Sequence, residues 1–217
     1  AGAIRLTKER STAVIPFETM ASGALYQAGD PALQARRLAA KDLCHAFNAL
    51  LPSQEAEGQA LLQKLLGSMG EGCVITAPFW CDYGSNITMG RYFFANHNCV
   101  ILDCAPVTFG DFVFVGPSCG FYTAGHPLDA RRRDQGLEYA RPITVGSHVS
   151  LGGGVQVLPG VTIGDHTVIG SGSVVGAGSV VNRDIPAGVA AAGNPCRVIR
   201  PIAETDRPRE EAVGESR

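Results

Sequence analysis

Charged side chains are scarce in this 217-residue chain: Asp, Glu, Lys and Arg make up 18% of it, below the roughly 25% usual for soluble domains. With 18 Lys and Arg against 20 Asp and Glu the formal charge is −2, so there is no basic field to attract a polyanion and nucleic acid is not an expected partner. No apolar run approaches the roughly 18 residues of a membrane span, and residues 1–17 lack the basic-then-apolar pattern of a signal peptide. A cytoplasmic protein without membrane association is therefore the expectation. The seven cysteines are odd in number and form no Cys-x-x-Cys pair, which argues against a disulfide framework and against a zinc knuckle. They read as small buried apolar side chains. None of the five histidines forms a His-x4-His pair, and no metal is expected.

Glycine is the residue in excess, 27 of 217 or about 12%, against an average near 7%. Hydrophobic residues at 45% are enough for one good-sized core with a small appendage. Residues 1–17 show no period and read as an arm. Asp30-Pro31 is an N-cap followed by proline at the first helical position, and Leu43, Ala46, Phe47 and Leu50 continue at helical spacing, which predicts a helix over about 31–49. After Pro52-Ser53 a second apolar stripe, Leu61, Leu62, Leu65 and Leu66, stops at Gly67. These helices form a lead-in over 18–70.

From residue 71 to 202 the texture changes. Val145, Leu151, Val157, Ile163, Ile169, Val175 and Val181 recur every six residues, and four positions after each stands a residue that is small or β-branched, from Val149 to Ile185. The same frame runs through Met89, Ala95 and Ile101, slips by two, and resumes at Phe109, Val115 and Phe121. Neither a helix nor a simple alternating strand repeats every six residues. A coil with three short flat faces does, with the aliphatic pointing inward and glycine turning the corner at positive φ. Coils stacked about 4.8 Å apart would build a parallel β-helix. Residues 123–143 break the period and read as a long extruded loop, the place where a repeat scaffold carries function. The tail over 203–217 reads as solvated.

Four motifs stand in a telling order: Cys81-Asp82-Tyr83-Gly84, Phe94-Ala95-Asn96, Gly125-His126-Pro127-Leu128 and Gly193-Asn194-Pro195. With the repeat and the loop, they make the chain resemble the hexapeptide-repeat sugar O-acetyltransferases, the maltose and galactoside acetyltransferase family, over about residues 23–200. The resemblance implies a mainly β fold, a left-handed parallel β-helix assembled as a homotrimer, with acetyl-CoA as co-substrate in a groove between neighbouring prisms. It implies His126 as general base for direct attack of a sugar hydroxyl on the thioester, without an acetyl-enzyme, a task suited to imidazole near neutral pH. Gly153, within Gly152-Gly153-Gly154, matches the family's oxyanion donor. Asp82, Asn96, Asp103 and Arg37 match its acceptor pocket, with capping of coil turns through Asx hydrogen bonds as the alternative for Asp82 and Asp103. For CoA the resemblance points to backbone at Gly152, Gly153 and Ser171 and to Asn182, Arg183, Arg197 and Arg200 near the C-terminal end.

Three departures from the family pattern stand out. Ser150 replaces a tryptophan near the cofactor, Asn182-Arg183 replaces a threonine-lysine pair, and the stretch 170–181 holds one extra hexapeptide. Six added residues amount to one face of three, which predicts that everything beyond, Arg183 included, turns by a third of a coil. The acceptor stays open between a sugar or glycoside hydroxyl and an amino sugar, lipo-oligosaccharide or antibiotic, and a non-catalytic binding module remains a third reading. His148 and His166 fall on equivalent outward positions of the repeat.

Overall fold

The computed structural model describes residues 16–170 and 178–206 of the chain. A short helix α1 (Pro16–Ala21) precedes the helical pair α2 (Pro31–Asn48) and α3 (Glu55–Leu65), and the remainder is a solenoid of short strands. The start of α2 is as its sequence requires: Asp30 accepts from the Ala32 N–H at 2.8 Å with Pro31 at the first helical position. Its buried ridge is Leu33, Ala40, Cys44 and Phe47. Asn48 then clamps the helix to the first coil, its amide donating to the Phe79 carbonyl at 2.9 Å and accepting from the Phe79 N–H at 2.8 Å.

The solenoid has three parallel sheets. The first contains Ser68–Met69, Ile87–Met89, Val107–Phe109, Ile143–Val145 and Thr162–Ile163. The second runs from Val74–Ile75 through Phe94–Ala95, Phe114–Val115, Ser150–Leu151 and Val168–Ile169 to Val189–Ala192, and Arg197–Pro201 closes it as an antiparallel edge. The third stacks Phe79–Cys81, Cys99–Leu102, Gly120–Tyr122, Gln156–Val157 and Val180–Val181. This is the β-helix the six-residue period predicts. Val145, Leu151, Val157, Ile163, Ile169 and Val181 are each at most 2% exposed, and their partners Val149, Val155, Val161, Thr167, Ser179 and Ile185 fill the same interior.

Two expectations about the coils need correction. The glycines that follow the inward aliphatics mostly do not turn corners at positive φ. A Cβ on Gly90 would stand 2.5 Å from the Gly110 carbonyl, one on Gly116 2.7 Å from the Gly153 nitrogen, and one on Gly152 2.6 Å from the Gly170 oxygen. They are glycines because the next coil's backbone occupies that space. The left-handed conformation falls two residues later, at Gly72, Tyr92, Phe112, His148, His166 and Gly188 along one edge and at Asn98, Ser118, Gly154 and Gly178 along another. Side chains are thus tolerated at the strained position and excluded from the unstrained one at Gly90, Gly116 and Gly152. Tyr92, Phe112, His148 and His166 stack as a ladder with ring centroids 4.8–5.1 Å apart, with His148 and His166 exposed.

The extra hexapeptide does not rotate the last coils. Val181 pairs with Val157 on the third sheet, and Gln156 pairs with Val180. Counting by sixes would have put Val181 on the first sheet. The hydrogen bonds from the Gly178 N–H to the Gly153 carbonyl and from the Gln156 N–H to the Ser179 carbonyl hold the coil in register, so the added length is taken up before Gly178. Val175 lies outside the described residues.

The extruded segment has structure of its own. Ala124–Gly125 and Leu137–Ala140 form an antiparallel hairpin around α4 (Ala130–Asp134), and Tyr26–Gln27 adds a third strand, pairing Tyr26 with Glu138. Ala140 packs with Met20, Tyr26, Leu33, Tyr83, Cys104 and Ala105 in a second, smaller core. The sequence over 123–143 reads as a loop because its strands are only two and four residues long and one of their partners lies more than a hundred residues earlier.

Replacing Gly90 by Ala drives a Cβ into backbone on the adjacent coil and is expected to cost about 1–3 kcal/mol. A lowered urea midpoint at unchanged slope checks it.

Candidate active site

The two-residue slip in the period builds the floor of the site. Met69, Met89 and Phe109 stack in register at intervals of 20 residues, whereas Val145 and Ile163 are 18 apart. The added residues enlarge successive corners between the third and first sheets, at 82–86 and 103–106. Asp103 sits within the second corner at 0% exposure. Its Oδ1 accepts from the Asp82 and Tyr83 N–H groups at 3.1 and 2.8 Å, and its Oδ2 from the Asn86 N–H at 3.2 Å. The carboxylate is therefore spent on the backbone of the corner below, and Asp103 does not line the cavity. Of the two readings open for Asp103 in the sequence, its geometry is that of the corner cap.

Above that corner lies a cavity of about 320 Å³ lined by Ala28, Arg37, Asp82, Leu102, Cys104, Ala124, His126 and Glu138. Three segments distant in sequence meet there. Arg37 comes from α2, held by donating to the Tyr83 hydroxyl at 2.7 Å and to the Ala28 carbonyl at 2.6 Å. Asp82 comes from the first large corner, with the Cys104 thiol 3.5 Å from its Oδ2. His126 and Glu138 come from the hairpin, His126 Nε2 standing 3.9 Å from Glu138 Oε1. His126 keeps 60% of its side chain exposed, so it stands at the mouth of the cavity.

Burial raises the Asp82 carboxyl above its ordinary range, against the opposing pull of the Cys104 thiol, Lys41 and Arg37. Burial and then the Asp82 charge push the Cys104 thiol up to about 12. Burial, offset by the Arg37 hydrogen bond, lifts the Tyr83 hydroxyl to about 12. The floor is thus one ionisable carboxylate among groups that keep their protons, suited to accepting hydrogen bonds from hydroxyls. Among the described residues no cluster of His, Cys, Asp and Glu is suited to a metal ion.

The other expected site residues lie elsewhere on the chain. Asn96, Gly116 and Gly152 stack through parallel pairing at the edge between the second and third sheets, and Gly153 follows there. The Asn96 Oδ1 accepts from the His97 N–H at 2.7 Å. Among the described residues the Gly153 N–H meets no acceptor, while the corresponding amides of Arg91 and Ser147 are taken up by Asp111 and Asp165. Asn182 and Arg183 are exposed at the edge between the third and first sheets, just beyond Val181. Arg197 is exposed on the closing strand, and Arg200 there makes a two-point ion pair with Asp206 at 2.6 and 2.7 Å. Ser171 lies outside the described residues. Tyr26 and Cys104, buried beside Glu138 and Asp82, were not singled out from the sequence. The alternation of residues 26–27 is too short to announce a strand.

Comparison with known proteins agrees with this architecture. The maltose acetyltransferase hexapeptide capping motif matches residues 19–70, and the bacterial transferase hexapeptide motif of six repeats matches residues 142–183. Saccharomyces cerevisiae YJL218W is 52% identical over 191 residues, 88% of this chain and 94% of its own length. The chain belongs to the maltose and galactoside O-acetyltransferase family. A maltose O-acetyltransferase from Clostridium difficile 630 superposes with a TM-score of 0.84 at 43% identity, covering 88% of this chain and all of that one. A galactoside acetyltransferase in complex with coenzyme A does so at 0.84 and 39%, covering 91% and 96%. This family member is an acetyl-CoA-dependent acetyltransferase, with acetyl-CoA as co-substrate. No helix among its described residues is long and apolar enough to cross a membrane.

All seven cysteines are buried and free. With its thiol near 12, Cys104 is thiolate to about one part in ten thousand at pH 8, too little for ready reaction. Native protein is expected to release almost no colour from a thiol dye at that pH, and seven equivalents after denaturation. A fast-reacting equivalent blocked by an acceptor sugar would instead place an activated Cys104 in the cavity.

Proposed function

We propose that this acetyltransferase moves the acetyl group of acetyl-CoA to a hydroxyl of a sugar or glycoside, with His126 as general base. The observation that carries the reading is the cavity in which His126 meets Asp82, Arg37 and Glu138. A charged acceptor, a charged donor and a proton acceptor converge on a space large enough for a small polar molecule. The acceptor lies with hydroxyls against Asp82 and Arg37. One hydroxyl gives its proton to His126 as its oxygen attacks the thioester carbon. The resulting oxyanion is met by the Gly153 amide. Collapse breaks the carbon–sulfur bond and the imidazolium returns the proton to the departing sulfur, leaving the acetyl ester and CoA with no acetyl-enzyme. Asn96 adds a polar contact to the acceptor, and Asn182, Arg183 and Arg197 lie toward the CoA phosphates, with Arg200 able to join them on release of Asp206.

The distribution of these groups supports a homotrimer. His126, Asp82 and Arg37 lie at one edge of the third sheet, and Asn96, Gly152 and Gly153 at the other, so one prism does not close the site. The outer faces suit such an assembly. The first sheet presents Thr88, Thr108, Thr144 and Thr162 to solvent. The second and third present Val74, Phe94, Phe114, Trp80 and Val100, with Phe114 52% and Trp80 40% exposed. Two apolar faces and one polar face are what a prism needs to pack against two copies of itself.

Chromatographic assay of CoA release over maltose, glucose, galactosides, amino sugars and chloramphenicol tests the reading. Sugar-dependent release that falls about 10²–10⁴-fold in His126→Ala is expected, whereas a fully active variant removes the base assignment. Release with an amino sugar or chloramphenicol alone moves the acceptor class. Light scattering is expected to give three chains of 22.7 kDa, and a monomer would rule out the shared site.

A further inference from the structure

The hairpin that carries His126 is paired on its outer side by a strand of two residues, Tyr26–Gln27, from the helical lead-in. Tyr26 is 4% exposed and lies in register with Glu138. Its hydroxyl donates to Glu138 Oε2 at 2.7 Å. That leaves Oε1, the oxygen turned to His126 Nε2 at 3.9 Å. Nothing about core packing requires the hydroxyl, since Phe would fill the same space among Met20, Leu33 and Ala140. Burial, the Cys104 thiol and Glu138 all hold the phenol well above its ordinary range, so it is a donor throughout the working pH range.

We propose that Tyr26 is a positioning residue for catalysis: by binding one carboxylate oxygen of Glu138, it directs the other at the His126 imidazole. This rests on His126 being the base. The ring nitrogen facing Glu138 is then the N–H side, and the other nitrogen carries the lone pair that takes the acceptor's proton. Glu138 balances the imidazolium formed as the tetrahedral intermediate builds. The 3.9 Å separation is longer than a hydrogen bond and leaves the contact to tighten when acceptor and acetyl-CoA are bound. The lead-in is in this way part of the catalytic apparatus, and not only a cap on the solenoid.

The test is a double-mutant cycle between Tyr26→Phe and Glu138→Gln, with His126→Ala alongside, in the full chain and with whichever panel sugar wild type turns over fastest. Tyr26→Phe is expected to lower kcat about tenfold or more with both KM values within about twofold. In the Glu138→Gln background it should have almost no further effect. A merely structural tyrosine would move thermal stability and leave kcat in place. Equal losses from Tyr26→Phe in both backgrounds, or wild-type kcat in Tyr26→Phe, would overturn the proposal. If Tyr26→Phe is destabilised, Glu138→Gln decides alone, and unchanged kcat in it is equally fatal. An active His126→Ala would instead remove the base reading beneath it.

Discussion

The close stacking of one coil's backbone on the next is the constraint on which the rest of the molecule depends. Parallel pairing brings successive coils within hydrogen-bonding distance at every face, and at several corners it leaves no room for a side chain after the inward aliphatic. Gly90, Gly116 and Gly152 are consequences of that contact. Two columns of left-handed residues follow two positions later, and in one of them the rings of Tyr92, Phe112, His148 and His166 stack on one another. The repeat supplies stiffness, and departures from it supply the site.

Those departures differ in their effects. The two-residue additions at 82–86 and 103–106 stay within the coil and widen one edge, with Asp103 stitching the widened corners together through three backbone amides. The large insertion over 123–143 leaves the coil altogether and returns as a hairpin, which brings His126 and Glu138 back over the widened corner. The addition before Gly178 leaves no trace in the register of the last coils. A ladder of parallel hydrogen bonds tolerates extra chain at a corner far more easily than a shift of face, because a shift would turn every later aliphatic out of the core.

Electrostatically the cavity is arranged around few charges. Asp82 and Arg37 oppose each other across it, Tyr83 and Cys104 keep their protons, and the carboxylate of Asp103 is withdrawn into the backbone. A polar, partly enclosed acceptor site next to an exposed imidazole suits a reaction whose acceptor must be oriented while the base stays open to a large co-substrate.

The sequence by itself determined the solenoid, because a six-residue alternation of inward aliphatics is incompatible with any other regular backbone. It also determined the helical lead-in, through Asp30-Pro31, and the prominence of His126, through the Gly125-His126-Pro127-Leu128 motif at the start of the one long break in period. The tertiary structure alone decided which face Val180 and Val181 occupy, since that face is set by their pairing with Gln156 and Val157 and not by the residue count. It decided that Asp103 serves the backbone while Asp82 faces the cavity, a distinction set by which corner lies beneath which. It also brought Tyr26 to Glu138, a contact between residues 112 apart in the chain that rests on two residues of strand pairing. Periodic residues announce themselves because the same physical demand recurs along the chain. Site residues do not, because each answers to a neighbour supplied by the fold.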